Sequence, residues 1–445
     1  MGKAIVKNRL FYRIPIELIT PLSISSGNSE LTDHDVILTE DGKPFIPGSS
    51  IAGAVREYIK DKETVEILFG NHKDDNTSSM SRIIFSDLVF DKNVHISVRD
   101  GIALEEGMKT TRDTGKFDYQ IVETHAKGTI FIECVLYDKD KSDSKKVRSV
   151  ILDAIKGMNN GEIRFGFKKN RGLGRVKTGE KYFYKEFVFD KNDSGVVQNY
   201  LDFCEDIYDE SKYDSATITT DDAVSENISI IKIPLRLEGG ISIRTYLALS
   251  NEPDFTHLTV SGADNKRVPV IPGSSWNGAI RARAFDILDS ELGLEPEIKN
   301  ILKDTLRKFW GDCGNMKFQA SKIIFSESKL KGSVPVRMTR NKINRFDAST
   351  CDGALYTETA YFGGDTVLEI MLGNCSEEEQ WCIYLVKLAL DDLKNGLLSV
   401  GGQTAVGRGI FIGDKEDYIN IDMKTAKASF ISMVKGGCRQ CSTAK

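Results

Sequence analysis

No stretch of the sequence approaches the roughly 20 consecutive apolar residues that a membrane-spanning helix needs. The first residues, Met1 to Lys7, lack the apolar core of a secretory signal peptide. The eight cysteines are scattered through 445 residues, which favours reduced thiols over a disulfide framework. These absences exclude a helical membrane protein and a disulfide-rich secreted domain. We expect a cytoplasmic protein without a membrane partner.

Metal-binding motifs are scarce. Cys438 and Cys441 form the only cysteine pair with the spacing of metal ligands, and none of the five histidines lies near them in the sequence. A structural zinc site normally needs a second pair or a nearby histidine. The pair is therefore weak evidence for a bound metal.

The formal net charge of −5 argues against a protein that coats nucleic acid indiscriminately. The charge is unevenly distributed, however. The chain is strongly acidic from Asp202 to Glu226, whereas Arg164 to Lys177 carries six basic residues and no acidic one. We interpret the acidic stretch as a linker and the basic stretch as a candidate binding loop.

The sequence repeats itself. Ile-Pro-Gly-Ser-Ser starts at Ile46 and again at Ile271, and each copy is followed by a similar strand-like segment, "SRIIFSD" and "SKIIFSE". Periodic apolar residues around these landmarks give the order strand, helix, strand, strand, helix, strand in each half. This split βαβ order predicts an α+β protein with two tandem ferredoxin-like domains. The expected boundaries are a first domain at 1–190, an acidic linker at 191–227, a second domain at 228–425 and a C-terminal tail at 426–445.

The Ile-Pro-Gly-Ser-Ser motif is typical of a turn that starts a helix, and its serines are good N-cap residues. Backbone N–H groups and hydroxyls at a helix N-terminus favour a phosphate, and an arginine follows in each predicted helix. Simple helix capping is the alternative. The candidate phosphate contacts are Ser49, Ser50 and Arg56 in the first copy, and Ser274, Ser275 and Arg281 in the second.

A glycine loop closes each half, "GFKKNRGLGRV" from Gly166 and "GGQTAVGRGIF" from Gly401. Neither loop has the third glycine of a dinucleotide fingerprint or the Gly-Lys-Ser/Thr of a P-loop, which excludes a nucleotide enzyme of either kind. A backbone with few side chains suits close approach to an extended phosphate chain, and a tight turn that closes the sheet is the alternative. The candidate contacts are Lys168, Lys169, Arg171, Gly172, Gly174, Arg175, Gln403, Thr404, Gly407 and Arg408.

Carboxylates precede the motif in both halves. Asp33 and Asp35 flank His34 in the first half, and Asp254 lies near His257 in the second. A carboxylate beside a phosphodiester can deprotonate a 2′-hydroxyl or anchor a divalent cation, and either step would allow RNA to be cut. Loop carboxylates that are merely solvated are the alternative.

These features together resemble the RAMP superfamily. The combination of an acidic loop, "IPGSS-x-x-G-x-x-R", "RIIFSD" and a terminal "GxGRV" is similar to the backbone subunits of type III CRISPR effector complexes, over residues 8 to 190 and 228 to 420. The chain resembles two such subunits fused, as in type III-D variants. The resemblance implies a modified RRM-like fold with an inserted β-hairpin thumb in each domain, at about 98–123 and 336–358. It also implies RNA contacts by thumb arginines, which would be Arg99, Arg112, Arg337, Arg340 and Arg345.

The resemblance implies a function in antiviral defence. Such a subunit binds guide crRNA and complementary target RNA beside a large signalling subunit, other backbone subunits and small subunits. It cleaves the target with Mg²⁺ or Mn²⁺ and no organic cofactor. The expected catalytic residue is Asp33, which precedes Val36-Ile37 as in the family pattern, with Asp35 as its rival and Asp254 in the second half. Asp33 and Asp254 would hold the metal. Two alternatives stay open: a non-catalytic guide-RNA scaffold, and a stand-alone endonuclease that processes guide RNA.

Overall fold

The computed structural model describes residues 5–25, 27, 31–71, 79–91, 94–104, 111–140, 143–190, 193–218, 228–246, 253–262, 266–311, 319–413, 418–419 and 421–442. Within these ranges, no helix is long and apolar enough to cross a membrane. The chain forms two compact units. The first contains Met1–Ser97, Gln120–Lys169 and Leu173–Val224, and the second contains Val98–Tyr119, Asn170–Gly172 and Ser225–Lys445. Most of the first thumb and three residues of the first glycine loop therefore belong to the second unit.

The first half of the chain folds around one antiparallel sheet. Its elements are β1 (Val6–Leu18), β2 (Phe45–Ile46), α1 (Gly48–Tyr58), α2 (Lys62–Phe69), β3 (Ile83–Phe85), β4 (Leu88–Val89), β5 (Ile96–Leu104), β6 (Thr111–Val122), β7 (Lys127–Tyr137), α3 (Ser144–Asn160), β8 (Val176–Thr178), β9 (Lys181–Val188), α4 (Ser194–Cys204) and β10 (Asp214–Thr217). The sheet order is β10-β9-β1-β7-β3, with β8 also paired to β1. Ile14 lies opposite Ile130 in the central β1–β7 pair.

Alternation along β1 builds the main core of this unit. Leu10, Tyr12, Ile14 and Ile16 point to one face, where they pack with the buried residues of α1 and α3. Helix α3 begins at a side-chain cap, because the Asp143 carboxylate accepts a hydrogen bond from the Lys146 N–H at 2.9 Å. The period-two pattern of the sequence therefore buries one face of β1 against two helices.

The opposite face of the sheet is also covered. Phe11, Phe131 and Phe187 pack there against Phe203 of α4 and against Tyr213. Helix α4 and β10 lie within the stretch expected to be an acidic linker, yet β10 pairs with β9 and extends the sheet. Residues 194–217 are therefore part of the first unit, with Phe203 and Tyr213 buried and most of the acidic side chains exposed.

The second half repeats this plan with more helix. Its elements are β11 (Ile228–Glu238), β12 (Gly240–Ile241), β13 (Arg244–Tyr246), β14 (Phe255–His257), β15 (Thr259–Ser261), β16 (Arg267–Ile271), α5 (Gly273–Asp286), α6 (Pro296–Phe309), β17 (Ile323–Phe325), β18 (Ser328–Lys329), β19 (Val334–Arg340), β20 (Tyr356–Phe362), β21 (Asp365–Gly373), α7 (Gln380–Lys394), β22 (Asn395–Ser399), β23 (Ile410–Gly413), β24 (Tyr418–Ile419) and α8 (Met423–Ser442). The main sheet has the order β17-β21-β11-β23-β22, with β24 also paired to β11.

The core of the second unit lies between this sheet and helices α5 and α7. Ile231, Ile233, Leu235 and Leu237 of β11 all point into it. The stretch expected to be a tail includes most of α8, and Ala426 and Phe430 of this helix are buried in the same core. The described part of the tail is thus a packed helix.

The two main sheets share one topology. The central strand, β1 or β11, lies between the third and the last strand of its motif, and the second strand is at the edge. With both motifs in the order strand, helix, strand, strand, helix, strand, this arrangement confirms two ferredoxin-like domains. The inserted hairpins are present as the β5–β6 pair and the β19–β20 pair, where Val336 lies opposite Ala360.

Candidate nucleic-acid interface

The Ile-Pro-Gly-Ser-Ser turn starts a helix as predicted, but its serines are not the caps. Pro47 is the N-cap residue of α1 and Pro272 that of α5, both without a side-chain cap bond. The prediction of serine caps was wrong because the helix begins one residue earlier, at the glycine. Ser49 and Ser50 are exposed in the first turn of α1, where their hydroxyls face solvent.

The helix N-terminus of α1 already has a carboxylate beside it. The Gly48 N–H donates to Asp87 Oδ1 at 2.7 Å, and the Ser50 N–H donates to the Pro47 carbonyl at 2.9 Å. An anion bound at this end would therefore contact the exposed serine hydroxyls and the remaining first-turn amide of Ser49. The phosphate site predicted here therefore has fewer available backbone N–H groups than the sequence motif suggested.

The glycine of the motif has a packing function in both halves. A Cβ on Gly48 would lie 2.1 Å from the Phe85 carbonyl oxygen, and one on Gly273 would lie 2.0 Å from that of Phe325. Both phenylalanines belong to the "IIFS" segment that recurs with the motif. The helix start packs directly on this strand, which explains why the two sequence landmarks recur together.

In the second unit, the turn before α5 is covered. Ser274 and Ser275 are half-buried, and a Cβ on Gly273 would also lie 2.4 Å from the carbonyl oxygen of Arg171. Arg281 is exposed about two helical turns beyond the serines, with its guanidinium 5.5 Å from the Phe285 ring. Arg56 is exposed at the corresponding place in α1.

A cleft in the first unit brings three predicted pieces together. It has a volume of about 630 Å³ and is lined by His34 from the acidic loop, Ser50 from α1, and Gly166 and Lys169 from the glycine loop. The His34 ring lies 5.2 Å from the ring of Phe167, and Lys168 Nζ lies 5.2 Å from the same ring. Arg164 and the Glu57 carboxylate line the same cleft. Its hydroxyl, imidazole and cationic groups suit an anionic chain, and Glu57 is the one acidic side chain among the described residues of the lining.

The structure separates the two candidate aspartates of the acidic loop. The Asp35 carboxylate accepts hydrogen bonds from the Leu31 and Thr32 N–H groups at 3.0 and 2.9 Å, and from the Thr32 hydroxyl at 2.8 Å. Asp35 therefore holds the shape of the loop. Asp33 is exposed in the same loop, next to the cleft residue His34.

The corresponding residues of the second unit have structural contacts. Asp254 Oδ2 accepts a hydrogen bond from the Thr357 N–H at 2.7 Å, at the start of β20. His257 is buried. Its Nδ1 accepts from the Ile243 N–H at 3.0 Å and its Nε2 lies 3.1 Å from the Val270 carbonyl, which fixes the Nε2–H tautomer. Desolvation by burial lowers the pKa of His257 to about 4, so the ring is neutral.

The thumb arginines differ in exposure. Arg99 is 3% exposed, and its guanidinium pairs with the Glu327 carboxylate at 3.3 Å within the second unit. The structure therefore places Arg99 in the interior rather than on an RNA-binding surface. Arg337 and Arg345 are exposed, Arg340 Nε lies 3.0 Å from Glu358 Oε1, and the side chain of Arg112 lies outside the described residues.

Both glycine loops use left-handed backbone at equivalent positions. The φ angles are 77°, 85° and 75° at Gly166, Gly172 and Gly174, and 97°, 79° and 72° at Gly401, Gly407 and Gly409. A Cβ on Gly174 would lie 1.8 Å from the Phe165 carbonyl oxygen, and one on Gly409 would lie 1.9 Å from that of Val400. The last glycine of each loop thus serves close backbone packing, as in the tight-turn alternative.

The crest of each loop is a short 3₁₀ turn, Lys169–Arg171 in the first copy and Thr404–Val406 in the second. Lys169, Arg171, Thr404 and Gly407 are exposed. The other long side chains of the second loop turn inward: Gln403 Nε2 donates to Glu358 Oε2 at 2.7 Å, and the Arg408 guanidinium lies 4.5 Å from the Phe362 ring. Arg175 is half-buried, and its carbonyl accepts from the Ile19 N–H at 2.9 Å.

Sequence reasoning missed two buried glutamates, which are the last residues of the predicted thumb segments. Glu358 is 0% exposed and Glu123, at the same place in the first half, is 2% exposed. The signal was the Glu-Thr pair that starts "ETHAKG" and "ETAYFGG" in the two copies.

The described side chains do not provide a metal site made of protein ligands alone. Among the described residues, no three histidine, cysteine, aspartate or glutamate side chains are grouped to hold a metal ion. Mg²⁺ is often bound by one or two carboxylates together with substrate phosphates, and an exposed loop carboxylate suits that mode. Cys438 and Cys441 lie in α8 with side chains outside the described residues.

The fold and the site define a tandem ferredoxin-like protein with polar loops and an open cleft in its first unit. The chain belongs to the RAMP superfamily, because the model of that family matches residues 15–177 and 255–412. No curated protein matches the chain. Membership indicates a CRISPR-associated RNA-binding subunit, in a family whose members generally bind CRISPR RNA and other effector subunits and include RNA endonucleases.

Proposed function

We propose that this chain is a fused double backbone subunit of a type III CRISPR effector that binds guide crRNA and target RNA and cleaves the target in its first half. The observation that supports this most directly is the cleft lined by His34, Ser50 and Lys169, with the exposed Asp33 next to His34 in the sequence. Two matched family regions support a chain that holds RNA with both halves. The partners in this role are a large signalling subunit, further backbone subunits and small subunits.

RNA is held by its backbone in this proposal. The exposed contacts are hydroxyls, glycine-loop crests and cations, which suit phosphate and ribose rather than base edges. The face of the first sheet that could stack bases is filled by Phe11, Phe131, Phe187 and Phe203. Sequence recognition is then left to pairing between guide and target.

Cleavage is assigned to Asp33. The Asp35 carboxylate accepts backbone hydrogen bonds within its own loop, and the Asp254 carboxylate accepts one from the Thr357 N–H of β20. Asp33 is exposed and adjacent to the cleft residue His34. Asp33 would take the proton of a ribose 2′-hydroxyl; the 2′-oxygen then bonds to the adjacent phosphorus, and the 5′-oxygen leaves with a proton from water. Asp33 is also the residue that would hold a Mg²⁺ or Mn²⁺, which would supply positive charge to the phosphoryl group during cleavage.

The test uses the assembled complex with guide RNA, a labelled target and Mg²⁺ or Mn²⁺. Asp33→Ala should remove cutting at one target position, while Asp254→Ala as matched control leaves the product pattern unchanged. A 2′-deoxy nucleotide at the cut position should block that cut. Unaltered cutting by Asp33→Ala would refute the assignment.

A non-catalytic scaffold is the second candidate. The hydrogen bond from the Thr357 N–H to the Asp254 carboxylate favours it, because that carboxylate then has a structural role. The same experiment separates the two candidates, since a scaffold retains guide RNA but gives no products in any variant. A stand-alone processing enzyme would instead cut precursor guide RNA as the isolated chain. Incubating the isolated chain with precursor guide RNA tests that alternative.

A further inference from the structure

A buried carboxylate lies where the thumb of the second unit meets its glycine loop. Glu358, in thumb strand β20, is 0% exposed. Its Oε1 lies 3.0 Å from Nε of Arg340 on the other thumb strand, and its Oε2 accepts from Gln403 Nε2 of the glycine loop at 2.7 Å. One side chain therefore joins three chain segments.

The glycine loop contacts the thumb at a second point. The Arg408 guanidinium lies over the Phe362 ring of β20, and its Nη2 lies 3.4 Å from Met338 Sδ of β19. Gln403 and Arg408 lie on either side of the exposed crest Thr404–Val406. The crest is thus held against the thumb base from both sides.

The backbone of Gln403 is strained by this arrangement. Its φ of 59° is in the left-handed region, which is unfavourable for a residue other than glycine. Glycine would avoid that cost but would remove the amide that binds Glu358. The side chain at this position therefore offsets the strain through its contact with the thumb.

The first half has the same two features. Glu123, directly after β6, is 2% exposed, and Lys168, at the loop position that corresponds to Gln403, has a φ of 58°. A buried carboxylate seldom adds net stability compared with an apolar pair of the same shape, so its presence in both copies favours a role in fixing geometry.

We propose that Glu358 is a positioning residue that couples the glycine loop to the thumb, so that RNA bound at the crest also fixes the thumb. This proposal rests on the RNA-binding role proposed above. The thumb strands are held to each other by their own seven-residue register, and the loop by its glycines. Without the contact to Glu358, each piece keeps its fold, and the Arg408 side of the crest stays in contact with the thumb while the Gln403 side is released.

The test is hydrogen exchange of the full chain with and without guide RNA, for wild type and for Glu358→Gln. The glutamine has the same shape as the glutamate but no charge, and the position is buried, so a changed RNA response cannot come from a lost RNA contact. Wild type should gain protection at both the crest and β19–β20. Glu358→Gln should gain it at the crest only, with guide RNA bound at least about tenfold more weakly, as for loss of a charge-assisted hydrogen bond.

Gln403→Lys is the matched control, because lysine is the residue of the first copy and keeps a donor for Glu358. Gln403→Lys should behave as wild type. Gln403→Ala should behave as Glu358→Gln, and it tests the same contact if Glu358→Gln does not fold. Thumb protection that persists in Glu358→Gln and in Gln403→Ala would overturn the coupling. Wild type that gains no protection at the crest would overturn the RNA-binding role itself.

Discussion

At the scale of single residues, the two glycines of the repeated motif have different reasons to be there. Gly48 lies so close to Phe85 that no side chain fits, whereas a Cβ on Gly53 would meet nothing within 4 Å. Gly53 is exposed on α1 and lines the cleft, and Gly278 repeats its position in α5. A glycine inside a helix costs about 0.5–1 kcal/mol relative to alanine. A Cβ at Gly53 would meet only open space, and in the proposed role the glycine lets RNA approach the helix closely.

Alanine at these two positions should therefore have opposite effects on stability. Gly48→Ala should lower the free energy of unfolding by about 1–3 kcal/mol, because the methyl group meets a backbone oxygen. Gly53→Ala should raise it by about 0.5–1 kcal/mol and weaken guide RNA binding. Denaturant unfolding and RNA titration measure both effects. A Gly53→Ala protein that is more stable and binds RNA as well as wild type would contradict the ligand explanation.

His257 should make the second unit sensitive to acid. Its pKa is about 4 in the fold and about 6.5 when unfolded, so the unfolded chain binds the proton first as pH falls. The contribution of His257 to the free energy of unfolding is complete above pH 6.5. It decreases by about 3 kcal/mol as the pH falls from 6.5 to about 4. His257→Gln, which can keep both hydrogen bonds, should flatten the stability profile between those pH values. An unchanged slope would show that other groups cause it.

At the scale of elements, α4 shows how composition can hide an amphipathic helix. The acidic residues that suggested a linker are on the outer side, and Phe203 is buried among the phenylalanines of the sheet. Arg99 presents the same difficulty, because its partner Glu327 is 228 residues away in the sequence and no local pattern connects them.

Helix α4 should therefore contribute to the stability of the first unit. Phe203→Ala should cost about 3–5 kcal/mol of unfolding free energy, as for other buried aromatic truncations. Leu201→Ala, two residues earlier and 53% exposed, is the control and should change it little. Equal, small effects of the two substitutions in denaturant unfolding would mean that α4 does not hold the sheet.

At the scale of the whole molecule, a net charge of −5 requires that RNA be bound by local groups rather than by the overall field. The exposed cations Lys169 and Arg171 form the crest of the first glycine loop.

The salt dependence of RNA binding should show whether Lys169 and Arg171 contact phosphates. Each phosphate contact to single-stranded RNA contributes about −0.7 to the slope of log K against log salt. Replacing Lys169 and Arg171 with alanine should reduce the steepness by about 1.4 in filter-binding assays. Lys181→Ala, which removes an exposed cation at the start of β9, should leave the slope unchanged. A similar decrease for Lys181 would mean that binding is diffuse.

The order of elements was predictable because it depends on local signals. Period-two strands, the Pro-Gly turns and the duplicated landmarks gave both ferredoxin-like domains. The directions of side chains were not predictable in the same way, since Gln403, Arg99 and Asp254 find partners in distant segments. Helix α8 was missed because its buried residues, such as Phe430, are few and widely spaced among polar ones.

The phenylalanine-filled face of the first sheet leaves that domain no flat aromatic platform on which to read nucleobases. In the proposed role, this half of the chain binds the guide RNA independently of its base sequence. The same protein can then be loaded with any spacer transcript, and resistance to a new invader requires a new RNA but no change in the protein.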